Sequence, residues 1–355
     1  MLSTKMPKIL IVGSGLTGSL VAASLLKLGK ENINDQVQLS IWEKARGAGG
    51  RMSTSRSPHN QLCAADLGAQ YITCTPHYGK EHSKYYEELL SVGILEPLKL
   101  NINNCHEHEA GTKHYISPNG MSSLVKYFLN KYECEPEFEH HITSVTRINE
   151  KWCVSTLQGK QNYFDVVILT IPVPQILQLG GSVKDILENN HEMKTKLENV
   201  KYSARYVMSL YYDHGTELNL PFDASYIKDD PVFRFIAVDN LRRNRPDVPT
   251  SVILHTSVPF GVQHIDLTVP EAEPILKEAL KRSFPDLPSP KAFKCHKWRY
   301  SQVTKPYEDQ PGVLEISQEP LLLVGGDGFT HSNFDGCVSS AEKIIQHFAS
   351  KTANL

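Results

Sequence analysis

The 355-residue sequence predicts an α/β protein with two domains, one built on a doubly wound parallel sheet and one on a mostly antiparallel sheet. Three observations support this prediction. A strand–glycine turn–helix–strand pattern opens the chain, a similar strand–turn–helix pattern closes it, and longer strands occupy the region from 175 to 320. The length also exceeds that of one ordinary core, so two domains are expected.

Composition places the chain among ordinary globular proteins and excludes several classes of function. Hydrophobic residues make up 40% and the formal net charge is -2, so no long-range field would attract nucleic acid or an anionic membrane. The seven cysteines show no CxxC or other metal-ligand spacing. We therefore expect no disulfide framework, no metal and a reducing compartment. No cleavable signal and no membrane span are predicted, which favours the cytoplasm.

Two polar clusters are predicted to be solvent-exposed loops rather than binding sites. A basic run is usually a solvated loop, and the His/Cys cluster has no second cluster at ligand spacing. One is the basic run Arg242, Arg243 and Arg245, and the other is Cys105, His106, His108 and Glu109.

The first element is a βαβ unit. Residues 8–12 form a short apolar run, residues 16–30 have helical periodicity, and residues 36–42 alternate before Glu43. The turn between strand and helix reads GSGLTG, in which the first glycine permits the tight turn, the second lets a pyrophosphate approach and the third lets the helix pack closely. The candidate dinucleotide-binding residues are Gly13, Ser14, Gly15, Thr17, Gly18 and Glu43.

The glycine motif alone leaves alternatives open. It is compatible with a tight turn that binds nothing, and it does not separate NAD from FAD. Glu43 would accept hydrogen bonds from both adenosine ribose hydroxyls. The following loop, Gly49 to Met52, favours FAD, because Gly50, Arg51 and Met52 would bring a guanidinium and a side-chain-free backbone to the same crevice.

The remaining elements follow the same periodicity argument. Helices are predicted at 82–92, 122–131, 271–282 and 336–348, and strands at 140–148, 152–156, 166–170, 206–212, 233–238, 252–257 and 321–324. The predicted first domain comprises 1–75, 114–173 and 319–355. The second comprises an insertion at 76–113 together with 174–318.

Several longer motifs resemble the flavin-containing amine oxidase superfamily over nearly the whole chain. Besides the glycine motif, Glu43 and the GGR loop, they are DLGAQYIT at 66–73, TIPVP at 170–174, GGDGF at 325–329 and SNFDGC at 332–337, with shorter matches at 75–78, 258–262 and 297–299. The sequence departs from the family in the lead before Ile9 and in the loop 101–113. The resemblance implies the two-domain fold of p-hydroxybenzoate hydroxylase and the amine oxidases.

The resemblance also implies non-covalent FAD, because the cysteine context of covalent flavin attachment is missing around Cys337. Asp327 would accept hydrogen bonds from ribityl hydroxyls, and the helix near Gly336 would direct its N-terminal N–H groups at the flavin N1/C2=O edge. The further flavin-binding residues implied are Asp66, Gly68, Ala69, Gln70, Gly326, Asp327, Asn333, Asp335, Gly336 and Cys337.

By the same resemblance, Tyr226, His255 and Trp298 of the second domain face the flavin as the catalytic set. Trp298 and Tyr226 would sandwich a dihydronicotinamide ring, and His255 would bond its carboxamide. The implied activity is oxidation of the 2- and 6-dihydro isomers of β-NAD(P) to NAD(P)+. The hydride would pass through flavin to O2 to give hydrogen peroxide, a form of metabolite repair.

Two other functions share these motifs. One is an amine oxidase acting on catecholamines, which would use paired aromatic side chains beside the flavin. The other is a signalling protein whose FAD is structural, and for this the family resemblance allows secretion. For the implied oxidase activity, the expected partners of the chain are a small-molecule substrate and O2.

Overall fold

The computed structural model describes residues 6–31 and 36–352. It divides into two compact units. Unit 1 comprises the described residues up to Gly50, Val125–Lys201 and those from Val303 onwards, and unit 2 comprises Arg51–Leu124 and Tyr202–Gln302.

The strands are β1 Lys8–Val12, β2 Gln38–Trp42, β3 Thr54–Arg56, β4 Ala64–Asp66, β5 Ile72–Cys74, β6 Glu96–Pro97, β7 Lys113–Ile116, β8 Ile142–Ile148, β9 Lys151–Thr156, β10 Gln161–Phe164, β11 Val166–Leu169, β12 Lys201–Tyr202, β13 Arg205–Tyr211, β14 Ala224–Tyr226, β15 Phe233–Val238, β16 Ser251–Thr256, β17 Ala292–Trp298, β18 Val303–Lys305, β19 Val313–Ser317 and β20 Leu321–Gly325. The helices are α1 Leu16–Glu31, α2 Pro76–Glu81, α3 Ser83–Ser91, α4 Ser122–Asn130, α5 Val173–Ile176, α6 Ser182–Asn189, α7 His191–Glu198, α8 Asp239–Arg242, α9 Val258–Gln263, α10 Val269–Ser283 and α11 Phe334–Thr352.

Unit 1 is built on a five-stranded sheet of order β19-β20-β11-β1-β2. β1 is parallel to β2 and β11, β11 is parallel to β20, and only β19 runs antiparallel. The central strands are continuous apolar runs because both faces of a parallel sheet are covered. The carboxyl ends of β1, β11 and β20 therefore meet at one edge, which is where such sheets bind nucleotides.

Unit 2 is built on an antiparallel sheet of order β14-β15-β16-β13-β17. One face packs against α9 and α10 through a core that includes Tyr206, Phe233 and Leu276. The other face carries Val207 and Phe235, against which Tyr226 and Trp298 pack. The predicted fold class, a Rossmann-type parallel sheet with a mostly antiparallel second sheet, is confirmed.

The chain passes from one unit to the other after Gly50, Leu124, Lys201 and Gln302. The predicted domain boundaries lie after residues 75, 113, 173 and 318. Two packing contacts account for the largest differences. Helix α6 packs on β8 and β19, which joins residues 174–201 to unit 1. Strand β4 packs on β16 and α8, which joins residues 51–75 to unit 2.

Most predicted elements are present with their ends shifted by a few residues, as is usual for helix and strand termini. The helix predicted over 82–92 is α3, but α2 before it was not predicted. Thr75 caps α2 by accepting a hydrogen bond from the Tyr78 N–H, and Pro76 occupies its first turn. In the described part of the chain, no helix is long and apolar enough to cross a membrane.

Candidate active site

The turn between β1 and α1 has the conformation that the glycine fingerprint requires. Gly13 has φ +102°, a region that residues with a side chain avoid. A Cβ on Gly18 would lie 2.1 Å from the Gly13 carbonyl oxygen, so only glycine lets α1 pack this closely.

Gly15 differs from these two glycines, because an added Cβ would meet nothing within 4 Å. Its surroundings are open on the side that a side chain would occupy. Gly50 has φ +51°, and its own Cβ would lie 3.4 Å from the Gly15 Cα. This leaves an open, side-chain-free space at the N-terminus of α1, where helix N–H groups favour a phosphate.

Glu43 follows β2 and is 8% exposed. Its carboxylate accepts hydrogen bonds from the Ser14 N–H at 2.9 Å and the Ala45 N–H at 2.8 Å. The Ser14 hydroxyl lies 3.1 Å from the same carboxylate. These bonds fix the orientation of the acid, and its remaining lone pairs can accept ribose hydroxyls.

The C-terminal motifs surround the start of α11. Asp327 is buried and accepts a hydrogen bond from the Ser332 hydroxyl at 2.8 Å. Asn333 caps the helix, since its Oδ1 accepts from the Gly336 N–H at 2.7 Å. A Cβ on Gly336 would lie 2.0 Å from the His331 carbonyl oxygen. Glycine is therefore required for the tight turn that brings the helix N-terminus to this edge.

Unit 1 thus fits a dinucleotide by its open glycine turn and its anchored acid. The predicted cofactor-binding residues fall on both units. Those on unit 1 are Gly13, Ser14, Gly15, Thr17, Gly18, Glu43, Gly50, Gly326, Asp327, Asn333, Asp335, Gly336 and Cys337, and those on unit 2 are Arg51, Met52, Asp66, Gly68, Ala69 and Gln70.

In unit 2, the segment Asp66–Tyr71, here called the 66–71 loop, packs tightly on Arg51. The Ala69 N–H donates to the Arg51 carbonyl oxygen at 2.9 Å. A Cβ on Gly68 would lie 1.8 Å from that same oxygen, so position 68 requires glycine.

The 66–71 loop contacts all three of the predicted catalytic side chains. Trp298 Nε1 donates to the Leu67 carbonyl oxygen at 2.9 Å. Gln70 Nε2 lies 3.3 Å from His255 Nε2. The hydroxyls of Tyr71 and Tyr226 are hydrogen-bonded at 2.7 Å. The structure therefore brings Tyr226, His255 and Trp298 to a single loop, and it adds Tyr71 of the 66–73 motif, for which the sequence predicted no role.

The Gln70 amide has a defined orientation. Its Nε2 donates to the carbonyl oxygens of Asp66 at 2.6 Å and Gly68 at 3.0 Å, so a flipped amide would oppose two acceptors. Its Oε1 is buried and has no hydrogen-bond partner in the described residues. Both N–H hydrogens of Gln70 are used by these two carbonyl oxygens, so His255 Nε2 lies beside the amide nitrogen as a close contact at 3.3 Å.

The imidazole of His255 is neutral. Burial first, and then the positive charges of Arg205 and Arg242, lower the pKa of His255 to about 3. Burial also raises the pKa of Tyr226, so this hydroxyl keeps its proton. The site therefore offers neutral hydrogen-bonding groups instead of an acid or a base.

The basic run of the sequence is mostly buried, so its prediction as a solvated loop is wrong. Arg242 is fully buried and pairs with Asp66 at 2.8 Å and with Asp239. Arg243 is 3% exposed, and its Nε lies 2.6 Å from Asp239. Only Arg245 is partly exposed, and it pairs with Asp247 at 2.7 Å. A signal was available, since Asp239 precedes Arg242 and Arg243 at the i,i+3 and i,i+4 spacing of helical ion pairs.

This buried network holds the 66–71 loop at both ends. Arg242 donates to the carbonyl oxygen of Gln70 and to the Asp66 carboxylate. Thr54 and the Met121 N–H also donate to Asp66, at 2.6 and 2.8 Å. Although burial opposes its charge, Arg242 and Arg243 hold the pKa of Asp239 below its usual range. The Asp66 carboxylate is thus engaged within unit 2, and its part in flavin binding stays a prediction.

The second polar cluster of the sequence lines an open cleft of about 400 Å³ in unit 2. Its lining includes Tyr71, Cys105, His106, His108 and Glu109. Within residues 6–31 and 36–352, no three His, Cys, Asp or Glu side chains are arranged to hold a metal ion. All seven cysteines are free.

Two family models match the sequence. The model of the NAD(P)-binding Rossmann-like domain matches residues 11–89, and the model of the flavin containing amine oxidoreductases matches residues 81–344. The second match covers well over half of the chain.

A curated protein is similar to this chain in sequence, and two solved structures are similar to it in fold. Renalase of Mus musculus is 44% identical over 343 residues, which cover 96% of this chain and 98% of renalase. A putative protoporphyrinogen oxidase from Exiguobacterium sp. 255-15 has a similar fold, with a TM-score of 0.69 at 13% identity over 97% of this chain and 99% of that chain. A CLA-producing fatty acid isomerase from P. acnes gives a TM-score of 0.62 at 13% identity over 98% of this chain and 100% of that chain. The chain therefore belongs to the flavin-containing amine oxidoreductase family and is a flavin-dependent oxidoreductase similar to renalase.

Proposed function

We propose that the protein is an FAD-dependent oxidase of the 2- and 6-dihydro isomers of β-NAD(P), which it converts to NAD(P)+. The similarity to renalase over nearly the full length supports this proposal. The observation on which it depends most is the pairing of Gln70 with His255 in unit 2.

This pair is complementary to a carboxamide. Gln70 Oε1 is a buried acceptor without a partner among the described residues, and leaving such an atom unpaired costs about 1–3 kcal/mol. A neutral imidazole carries one ring N–H, through which His255 can donate. A carboxamide supplies the matching groups, since its N–H can bond Gln70 Oε1 and its oxygen can accept from His255. Nicotinamides carry this group and catecholamines do not.

The aromatic residues of the site would hold the ring. Trp298 is fixed by its bond to Leu67 and Tyr226 by its bond to Tyr71, so both rings are held in place before substrate binds. No general base is required, because a dihydropyridine loses a hydride without prior deprotonation. The low pKa of His255, about 3, suits this role, since a neutral imidazole orients the substrate and does not take its proton.

FAD is the proposed cofactor on unit 1. Its pyrophosphate would take the open space at Gly15, and its ribose hydroxyls would bond Glu43. The bound flavin would accept the hydride and pass two electrons and a proton to O2, which with one further proton gives hydrogen peroxide.

A matched pair of glycine variants tests the cofactor proposal. We expect Gly15→Ala to weaken FAD binding to the apoprotein by at least about tenfold, because the new methyl group takes pyrophosphate space. Gly47 also has nothing within 4 Å of an added Cβ, so Gly47→Ala is the control. Fluorescence titration of each apoprotein with FAD measures the affinity. Equal affinities in the two variants would contradict the proposal.

The substrate is tested by anaerobic stopped-flow with three hydride donors. We expect 6-dihydro-NAD to bleach the flavin rapidly with release of NAD+, and ordinary 4-dihydro-NADH and adrenaline to react slowly. Bleaching by adrenaline would favour the amine oxidase, for which the Tyr71–Tyr226 pair would be the aromatic wall. Bleaching by none of the three would favour a structural flavin.

A further inference from the structure

Two arginines of unit 2 lie beside the catalytic set without any acidic partner. Arg205 belongs to β13 and Arg234 to β15, and both are partly buried. Among the residues that the structure describes, neither forms an ion pair with a carboxylate. A guanidinium that is withdrawn from water and left without a counter-charge is costly to bury.

Strand register places Arg205 on the same face of the sheet as the catalytic side chains. Arg205 is directly opposite Trp298 on β17, and opposite residues of antiparallel strands point to one face. Val207, two residues on, shares this face and is opposite His255 on β16. The Arg205 charge also contributes to the low pKa of His255.

Arg234 reaches the same group of residues from β15. Its guanidinium carbon lies 5.5 Å from the centre of the Tyr226 ring. The ladder between β15 and β16 shifts register between Phe233 and Phe235, so the intervening Arg234 leaves the regular alternation. Its NH1 donates to the Ile227 carbonyl oxygen at 2.9 Å.

The charge of Arg234 influences Arg205, and both guanidiniums have N–H donors that form no hydrogen bond with the described residues. Burial first, and then the positive charge of Arg234, lower the pKa of Arg205 below its usual range, whereas Tyr226 opposes this shift. Within unit 2, Arg205 donates only to the Thr256 carbonyl oxygen at 2.8 Å and to Gln302 Oε1 at 3.4 Å. Each guanidinium has more N–H donors than these bonds use. Nearby Asp230 is not available, since it accepts from two backbone N–H groups and from Ser283.

We infer that Arg205 and Arg234 form an anion site for the diphosphate of the dinucleotide substrate. Guanidinium groups bind phosphate oxygens in a bidentate manner, and two of them match the two phosphates. The same positive charge would repel a protonated amine. The identity of the substrate rests on the proposed function, whereas the anion site rests on the arginines alone.

The decisive experiment compares two substrates in wild type and in Arg234→Gln. One substrate is 6-dihydro-NAD, and the other is 1-methyl-1,6-dihydronicotinamide, which has the ring and no phosphate. We expect Arg234→Gln to raise KM for the dinucleotide by about tenfold to a hundredfold, with kcat changed less than about twofold. KM for the truncated substrate should not change. Arg205→Gln should behave in the same way.

Arg245→Gln is the matched control, because Arg245 is already paired with Asp247. This variant should leave both KM values at their wild-type level. Equal KM increases for the two substrates in Arg234→Gln would overturn the inference, since they would indicate a general structural role. An unchanged KM for the dinucleotide in both variants would also overturn it.

Binding of inorganic diphosphate separates the two proposals. Calorimetry on the flavin-loaded protein should detect millimolar binding to wild type and to Arg245→Gln, with none to Arg234→Gln. If diphosphate follows this pattern and no dihydronicotinamide reduces the flavin, the anion site stands and the proposed function fails. If 6-dihydro-NAD is oxidised and diphosphate binds all three proteins equally, the anion site fails and the function stands.

Discussion

Unit 2 contains two pairs of arginines that differ in whether they have acidic partners. Arg242 and Arg243 are buried against Asp66 and Asp239, so each positive charge has a counter-charge within hydrogen-bond distance. Arg205 and Arg234 are less buried and bond only neutral oxygens in the described residues. An arginine with an acidic partner thus holds a loop in place, whereas an arginine without one is available to a negatively charged ligand.

The largest change should be in the free energy of unfolding, on removal of an arginine that is paired with buried carboxylates. Arg242→Met would leave the buried Asp66 carboxylate without its cation and Asp239 with Arg243 alone, and breaking such a buried pair costs about 3–5 kcal/mol. We expect urea unfolding of the flavin-loaded protein to show a loss of this size in the free energy of unfolding. Arg245→Met, which removes a partly exposed arginine three residues away, should cost less than about 1 kcal/mol. Similar losses in the two variants would remove the distinction between the pairs.

A second variant gives Arg205 an acidic partner of the kind that Arg242 already has. Gln302 Oε1 already lies 3.4 Å from Arg205, so Gln302→Glu would give this arginine a counter-charge of the same shape. We expect KM for 6-dihydro-NAD to rise about tenfold at unchanged kcat, because the carboxylate competes with the diphosphate. Gln302→Met removes the bond without adding charge and should have a much smaller effect. A lower KM in Gln302→Glu would contradict the comparison.

A smaller effect concerns the imidazole beside Arg205. The pKa of His255 is about 3 in the folded protein and near 6.5 in an unfolded chain. Between these values the unfolded chain binds a proton and the native state does not, so the contribution of His255 to stability falls as pH is lowered through this window. Arg205→Gln should raise the pKa of His255 and weaken this dependence. NMR titration of the ring and unfolding at pH 4 and pH 7 would measure both, because the raised pKa changes the protonation of the native state only near the lower pH.

The smallest effect should be at the solvated end of the basic run. Asp247→Asn removes the partner of Arg245, whose pair is surface-exposed, and should change the free energy of unfolding by less than about 0.5 kcal/mol. Asp239→Asn is the comparison, since its buried carboxylate pairs with Arg242 and Arg243. If the two variants lose equal stability, burial does not separate the pairs.

The β1–α1–β2 unit and the parallel strands of unit 1 could be predicted from the sequence, whereas α5, α6, α7, β10 and β19 of the same unit were not predicted. The signals for the predicted elements are local: a turn at Gly13 that requires a positive φ, an acid that ends the next strand, and buried strands of continuous apolar residues. Each of these depends on neighbours along the chain. The predicted bounds of β1 and the start of α1 consequently match the structure.

Tyr226, His255 and Trp298 could be proposed as site residues only from the family resemblance. No sequence pattern indicated Arg205 or Arg234, and Tyr71 was part of the 66–73 motif without an assigned role. These residues are brought together by the register of antiparallel strands, and register is determined by the whole sheet. Arg205 meets Trp298 across nearly a hundred residues of chain, so no local pattern records the contact. The mistaken prediction for Arg242 has a different cause, since its partner Asp239 lies only three residues earlier in the sequence and the local pattern did record the contact.

The packing of the 66–71 loop has a consequence for how this protein could change over evolution or in a mutant library. Gly68 admits no side chain, and its neighbours each secure a different residue of the site, so substitutions in the loop would disturb several contacts at once. The open cleft bordered by residues 98–114 has no such constraint at its exposed positions. Variants with new substrate preferences should therefore be recovered from the cleft and from the arginine pair, with the loop sequence left intact.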